Sequence, residues 1–270
     1  MQNCQEFAPA AIGNALLYEG GEPVFIDITQ SDWGMDPAVL ELAFARYPDT
    51  KLVVLYHACG FPGQINAIRQ ICDTHGAILI EDASEALGAA AEGKKAASIG
   101  DYSIISFNRE GVIPVGVGSV LLTDDEYSAR KARYWSSGAY ADAKWNQHEE
   151  LGYQYGLDNV TAGIIRGQLL HLQEHLNRKK EIYEHYRDRL DEETVRMNPV
   201  GDTVFPNYAV SCILPEDSIP FQEISYIICI CIFVLICSTI SCKCVHGSFI
   251  AIDMGWIFYY GCSHWLKLCR

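Results

Sequence analysis

AILIEDASEALGA, residues 77–89, decides the architecture of this chain. Its apolar start is the right length for a buried strand, and that strand ends in two carboxylates, Glu81 and Asp82. In an open α/β sheet, ligands gather at the carboxyl ends of the strands. A carboxylate there has two readings. Asp82 caps a helix begun by Ala-Ser-Glu-Ala, or it faces a cationic group of a ligand. Spacing alone favours the cap.

The flanks on both sides repeat the pattern of strand then helix. Upstream, PVFIDI (23–28) and KLVVLYH (51–57) read as strands. Between them Asp36-Pro37 opens a helix, with Asp as N-cap and Pro at the first helical position. GQINAIRQICDTHG (63–76) reads as a helix closed by Gly76. Downstream, YSIISF (102–107) and SVLLTD (119–124) are strands, followed by a helix over 124–136 capped by Thr123 or Asp124. Alternating strands and helices imply an α/β domain with a largely parallel sheet. Farther on, Ile165, Leu169, Leu172, Leu176, Tyr183, Tyr186 and Leu190 step at helical spacing with Lys179 between them. That pattern predicts one long amphipathic helix packed across the domain; its short, interrupted repeat argues against a coiled-coil seam.

Composition bounds the partners. The chain has 270 residues, 49% of them hydrophobic, and a net charge of −14. A sizeable core is expected, and neither nucleic acid nor an anionic membrane surface is expected as a main partner. The opening MQNCQEFAPAAIG lacks the basic and apolar blocks of a signal peptide. Cysteine is unevenly spread, with three in residues 1–211 and eight in residues 212–270. The first part reads as a reduced, cytoplasmic protein. The second changes character after Glu223. ISYIICICIFVLICSTI (224–240) has 17 residues and no charge, the short limit for a membrane span. One reading is a C-terminal anchor. The other is translation in a wrong frame or past a lost stop, and the Cys/Ile-rich composition of 224–270 favours it. CICIFVLIC and CKC match no metal-ligand spacing, so no metal site is expected.

The second informative stretch is SFNREGVIPVGVGSVLLTDD (106–125). Ser106 ends a strand beside a glycine-punctuated loop, where hydroxyls and backbone N–H groups can cradle an anion. PVGVGSV is not a dinucleotide fingerprint, because the third glycine is missing and a strand follows in place of a helix.

Taken in order, these pieces resemble the DegT/DnrJ/StrS family of sugar-nucleotide aminotransferases. The matching run is PVFIDI, W-x-M-D-P, LVVLYHACG, ILIEDASEALGA, KKAASIGDYSIISFN, GSVLLTDD, HEELGYQYGLDN and RKKEIYEHYRDRL, from about Phe7 to about Leu190. The resemblance implies a pyridoxal-phosphate (PLP) enzyme of the aspartate-aminotransferase fold, fold type I. It implies transfer of an amino group, usually from glutamate, to a nucleotide-linked keto sugar in bacterial polysaccharide or glycan synthesis. It implies a homodimer with shared sites. It also implies roles. Asp82 pairs with the pyridinium nitrogen, Glu85 lies against the cofactor, and Ser106 binds its phosphate, with Asn108 beside it in the SFN stretch. Gln154 stands where an asparagine reaches a neighbour's cofactor phosphate, and Phe7 or Pro9 stands near the ring-stacking aromatic. His57 and Gly60 match an H-x-x-G turn, which equally reads as purely structural.

The departures concern the chemistry. The family's Schiff-base lysine, which holds PLP covalently and shuttles the proton, falls five residues after the serine; that position is Gly111. Gly156 replaces an arginine, and Arg109, Lys94 and Lys95 are poor substitutes for the missing amine. An N-terminal glycine-containing helix that cradles phosphate is expected to be missing, as is most of the small C-terminal domain. The domain expectation is therefore a PLP-transferase-like large domain over 1–190, the start of a small domain over 191–223, and an atypical tail over 224–270. The activity expectation is an impaired aminotransferase, or a non-catalytic protein that binds PLP or a nucleotide sugar, or a protein anchored through 224–240.

Overall fold

Alternation along two central strands sorts the core into layers. In a computed structural model, which describes residues 1–109, 111–190, 195–198, 200 and 204–215, strands β3 (Leu52–Tyr56) and β4 (Ile78–Asp82) lie side by side in parallel. Successive side chains of a strand point to opposite faces. Val53, Leu55 and Leu79 therefore meet one cluster, with Ile26, Leu40, Phe44, Ile65, Ile68 and Cys72. Val54 and Ile80 face the opposite cluster, with Cys4, Leu16 and Ile12. Each fully buried aliphatic or phenyl side chain contributes about 1.5–3 kcal/mol.

The helices supply the other half of each layer. Helix α1 (Ala10–Tyr18) gives Ile12 and Leu16 to the second cluster. Helices α2 (Pro37–Arg46) and α3 (Ile65–His75) fill the first. Asp36 caps α2 through its carboxylate, which accepts from the Ala38 and Val39 amides, and Pro37 stands at the first helical position. Gly76 closes α3 at φ 61°, in the left-handed conformation that glycine adopts at little cost.

The main sheet has six strands in the order β2-β1-β3-β4-β7-β8, where β1 is Gln2–Gln5, β2 is Pro23–Ile26, β7 is Tyr102–Ser106 and β8 is Ser119–Leu122. All pairs are parallel except β7–β8. Between β7 and β8 the chain runs through the glycine-containing loop and no helix, so it returns antiparallel; a parallel return needs a crossover. Strand β1 was not signalled by the sequence. Its Asn3, Cys4 and Gln5 are buried between β2 and β3, but Gln2-Asn3-Cys4-Gln5 carries no apolar run.

Short elements complete the described chain. A hairpin joins β5 (Ala90–Ala91) and β6 (Lys94–Lys95), and β10 (Val204–Phe205) pairs with β5. Strand β9 (Val195–Met197) pairs with β11 (Ile213–Pro215).

Three local expectations are corrected. The helix expected from residue 124 is α4, Glu126–Ser136, and its cap is Asp125, whose carboxylate accepts from the Tyr127 and Ser128 amides. Thr123 instead bonds the Asp101 carbonyl. The single long helix is two, α5 (Asn159–Leu169) and α6 (Leu172–Arg187). The last turn of α5 tightens, the His171 amide reaching back only to Gln168. Ile165 of α5 and Leu172 of α6 pack on the same cluster, so apolar periodicity runs through the break. Finally, Ala83–Ala89 is not helical. It forms consecutive turns, Ala86 to Ala83 and Ala89 to Ala86, each 2.9 Å.

Among the described residues no helix is long and apolar enough to cross a membrane, and no group of three or more His, Cys, Asp and Glu could hold a metal ion. The 224–240 segment, and residues 216–223 of the stretch expected to begin a small domain, lie outside the described residues.

Candidate active site

Register brings the nominated residues to one edge. Tyr56 pairs with Asp82, and Asp82 with Ile104, so β3 and β4 end together and β7 runs two residues further. Ser106 lies two residues beyond Ile104 and pairs with Ser119 at the start of β8. The 107–118 loop therefore closes over the same edge. Its shape is set by backbone bonds from Phe107 N to the Gly118 carbonyl and from Gly116 N to the Phe107 carbonyl, 3.0 and 2.8 Å. Phe7 follows β1 and stands half exposed, edge-on to Trp33 at 6.3 Å between ring centroids.

The two carboxylates at the end of β4 point opposite ways and do different things. Glu81 is fully buried. It accepts from His57 Nε2 (3.0 Å), from the Ala97, Ile99 and Gly100 amides (2.9, 2.7 and 2.5 Å) and from the Ser103 hydroxyl (3.3 Å). Burial by itself would raise the Glu81 carboxyl; the His57 ring and the amides outweigh it and hold it below the ordinary carboxylate range. The His57 ring thus belongs to a buried brace and does not face the edge bearing Asp82. Asp82 is half buried and spends one oxygen on Ser84, 3.0 Å to its amide and 2.5 Å to its hydroxyl. Its other oxygen has no hydrogen-bond partner among the described residues.

Glu85 sits in the turns that follow. Its Oε2 accepts from the Cys59 amide at 2.7 Å, and it bonds the Tyr56 hydroxyl. Burial, and then Glu85 and Asp82, push the Tyr56 phenol far above its usual value, so it stays a neutral donor. Gly60 (φ +84°) leaves no room for a side chain, because a Cβ there would lie 1.8 Å from Asn207 Oδ1. Asn207 Nδ2 in turn donates to the Glu85 and Leu87 carbonyls, 2.6 and 3.0 Å. This clasp from the 204–215 segment went unseen in the sequence. The only hint was an Asn flanked by Pro206 and Tyr208, which reads as a turn.

Gly111 is buried, and its amide donates to Asn108 Oδ1 at 2.9 Å. Its backbone does not require glycine. It lies outside the left-handed region, and a Cβ would meet Asn108 Oδ1 at 3.3 Å with nothing nearer. Ser106 is half buried, and its hydroxyl has no partner among the described residues. Gln154 is exposed on the loop after α4 and bridged to Ser137. Lys94 and Lys95 stand exposed on the β5–β6 hairpin, and Lys179 donates to the Ala209 carbonyl.

This donor set can be tested against PLP. An unpaired carboxylate oxygen suits a protonated ring nitrogen, and a free hydroxyl beside a loop suits a phosphate. Position 111 offers no amine. The residues present fit a PLP held without a covalent bond, and they do not fit covalent attachment.

The profile of the DegT/DnrJ/EryC1/StrS aminotransferase family matches residues 6–214. EpsN of Bacillus subtilis (strain 168), which carries a provisional name as a pyridoxal phosphate-dependent aminotransferase, is 36% identical over 191 residues, covering 69% of this chain and 49% of that protein. GDP-perosamine synthase of Escherichia coli O157:H7 is 26% identical over 211 residues, covering 78% and 57%. The crystal structure of the aminotransferase TlmJ from Streptoalloteichus hindustanus superposes with a TM-score of 0.73 at 25% identity, covering 80% of this chain and 59% of that one. The chain spans about half the length of the curated relatives it matches.

Proposed function

The chain belongs to the DegT/DnrJ/EryC1/StrS aminotransferase family, whose cofactor is PLP, and on that premise we propose that it is the large-domain part of an aminotransferase for a nucleotide-linked keto sugar. Glutamate is the amino donor, polysaccharide synthesis is the setting, and a homodimer is the working form. We further propose that the chain as written binds its ligands but does not turn over, because Gly111 stands where the lysine belongs.

One observation carries this reading. Asp82 and Ser106 present open polar groups at the ends of adjacent strands, beneath a loop whose residue 111 has an ordinary backbone and no side chain. When bound, PLP supplies the electron sink that lets an amino group pass from donor to keto sugar. The chain's own groups do the rest. The Asp82 carboxylate keeps the proton on the ring nitrogen, which a neutral residue could not do. The Ser106 hydroxyl donates to phosphate oxygen. Glu85, tied to Tyr56 and Cys59, fixes the turns that border the ring. At residue 111 nothing takes the proton from the substrate carbon.

Two experiments test the two parts. Purified chain titrated with PLP should bind it reversibly, and Asp82→Ala should weaken binding at least about tenfold, the loss of one charge-assisted hydrogen bond. Binding unaffected by Asp82→Ala sinks the site assignment. Amino transfer from glutamate to a nucleotide-linked keto sugar should stay at background; measurable turnover by the pure wild-type chain sinks the claim of impairment.

A further inference from the structure

We propose that Cys59 and Cys212 form a reversible disulfide that latches the 204–215 segment onto the turn after β3. Their sulfurs lie 3.3 Å apart across 153 residues of sequence. A disulfide bond is about 2.05 Å long, so the sulfurs need to close by only about 1.2 Å.

Both cysteines are presented by backbone held in place. Cys59 sits in a short 3-10 turn, Ala58–Gly60, at φ 55°, and its amide is fixed on Glu85 Oε2 at 2.7 Å. Cys212 is fixed through Asn198. Its amide donates to Asn198 Oδ1 and its carbonyl accepts from the Asn198 amide, each at 3.1 Å. Asn207 adds the neighbouring clasp, its side chain on the Glu85 and Leu87 carbonyls. The remaining described thiols have no such neighbour. Cys4 and Cys72 are buried among apolar residues of separate clusters.

The two thiols are also differentiated. Cys212 is the more accessible of the pair. The hydrogen bond from Cys59 lowers the Cys212 thiol, and the same bond, with burial, raises that of Cys59. Cys212 is therefore the attacking thiolate and Cys59 the resolving thiol. With a small disulfide such as oxidised glutathione as oxidant, the Cys212 thiolate forms a mixed disulfide and releases one glutathione thiolate. Cys59 loses its proton to water, attacks the Cys212 sulfur and releases the second. Two thiols are oxidised to one disulfide, and one glutathione disulfide is reduced to two glutathiones. Thiol–disulfide exchange with excess dithiol reverses the sequence.

The latch acts on the same residues that border the candidate site. It ties the Cys59 turn, and through its amide Glu85, to the residue just before β11, in a segment that arrives from the far end of the described chain. Because the cross-link rests on two thiols and not on bound cofactor, its test stands apart from that of the aminotransferase reading.

The experiment uses the full chain, oxidised with glutathione disulfide under native conditions, alkylated, and digested with trypsin plus a glutamate-specific protease. That digestion leaves Cys59 in residues 52–69 and Cys212 in residues 197–216, one cysteine in each. The expected result is a 52–69/197–216 cross-link that vanishes on reduction, with Cys4 and Cys72 recovered as alkylated thiols. It should be absent from Cys59→Ser and Cys212→Ser. Oxidised wild type should also melt about 5–10 °C higher than reduced, given the long loop closed. The proposal is overturned if native oxidation pairs Cys59 or Cys212 with other cysteines instead, or if the cross-link forms only in denaturant. The wild-type map decides this even if a serine variant fails to fold.

Discussion

The end of β4 and the 107–118 loop face the same edge of the sheet, and they are finished to different degrees. At β4 the side chains are in place. Glu81 binds five donors inward, and Asp82 holds an open oxygen outward. In the loop the backbone is in place, with Gly111 N on Asn108 and Gly116 N on Phe107, but the residue at 111 has nothing to offer a ligand. The comparison teaches that the bonds holding this site in shape are separate from the group that would do its chemistry. One can be lost while the other persists.

The largest effect expected from breaking this arrangement is at Glu81. Glu81→Ala strands the His57 ring, three amides and a hydroxyl in the interior, and should cost about 3–5 kcal/mol, read from urea unfolding. The same residue sets a pH dependence. Its folded carboxyl lies below the ordinary value of 4.5, so its contribution is full above that value and fades as pH falls through the depressed folded one. Glu81→Gln should therefore flatten the acid limb of stability against pH; an unchanged limb would assign acid sensitivity elsewhere.

Gly60→Ala comes next. It forces a Cβ onto Asn207 Oδ1 at φ +84°, and about 2–4 kcal/mol of destabilisation is expected from the strain and crowding together. Asn207→Ala leaves the Glu85 and Leu87 carbonyls without their donor and should cost about 1–3 kcal/mol. If both variants unfold at wild-type denaturant concentrations, the clasp is not part of the folded state in solution.

The smallest change in stability, and the sharpest test of the comparison, belongs to Gly111→Lys. With an ordinary backbone and one 3.3 Å contact to relieve, stability should move by less than about 1 kcal/mol in either direction. Borohydride reduction in the presence of PLP should then leave a cofactor-sized mass on residue 111, and none on the wild type. A large loss of stability would show that the loop depends on glycine after all.

Much of this was legible beforehand. Asp36-Pro37 announced α2, Gly76 announced the end of α3, and apolar runs announced β3, β4 and β7. Strand β1 was not legible, because its buried positions hold Asn3, Cys4 and Gln5, and polar residues give no periodic signal. The break between α5 and α6 was hidden, since both helices turn apolar residues to one cluster.

By itself the sequence determined the alternation of the central strands and helices, the family, and the absence of a lysine at residue 111, because these are read from local pattern and residue identity. Tertiary structure decided the rest. Adjacent carboxylates became one buried brace and one carboxylate with an open oxygen because a strand's side chains alternate between faces. Asn207 and Cys212 came to rest on Gly60 and Cys59, a pairing no spacing could announce because the partners lie about 150 residues apart and meet only when the sheet and its helices pack.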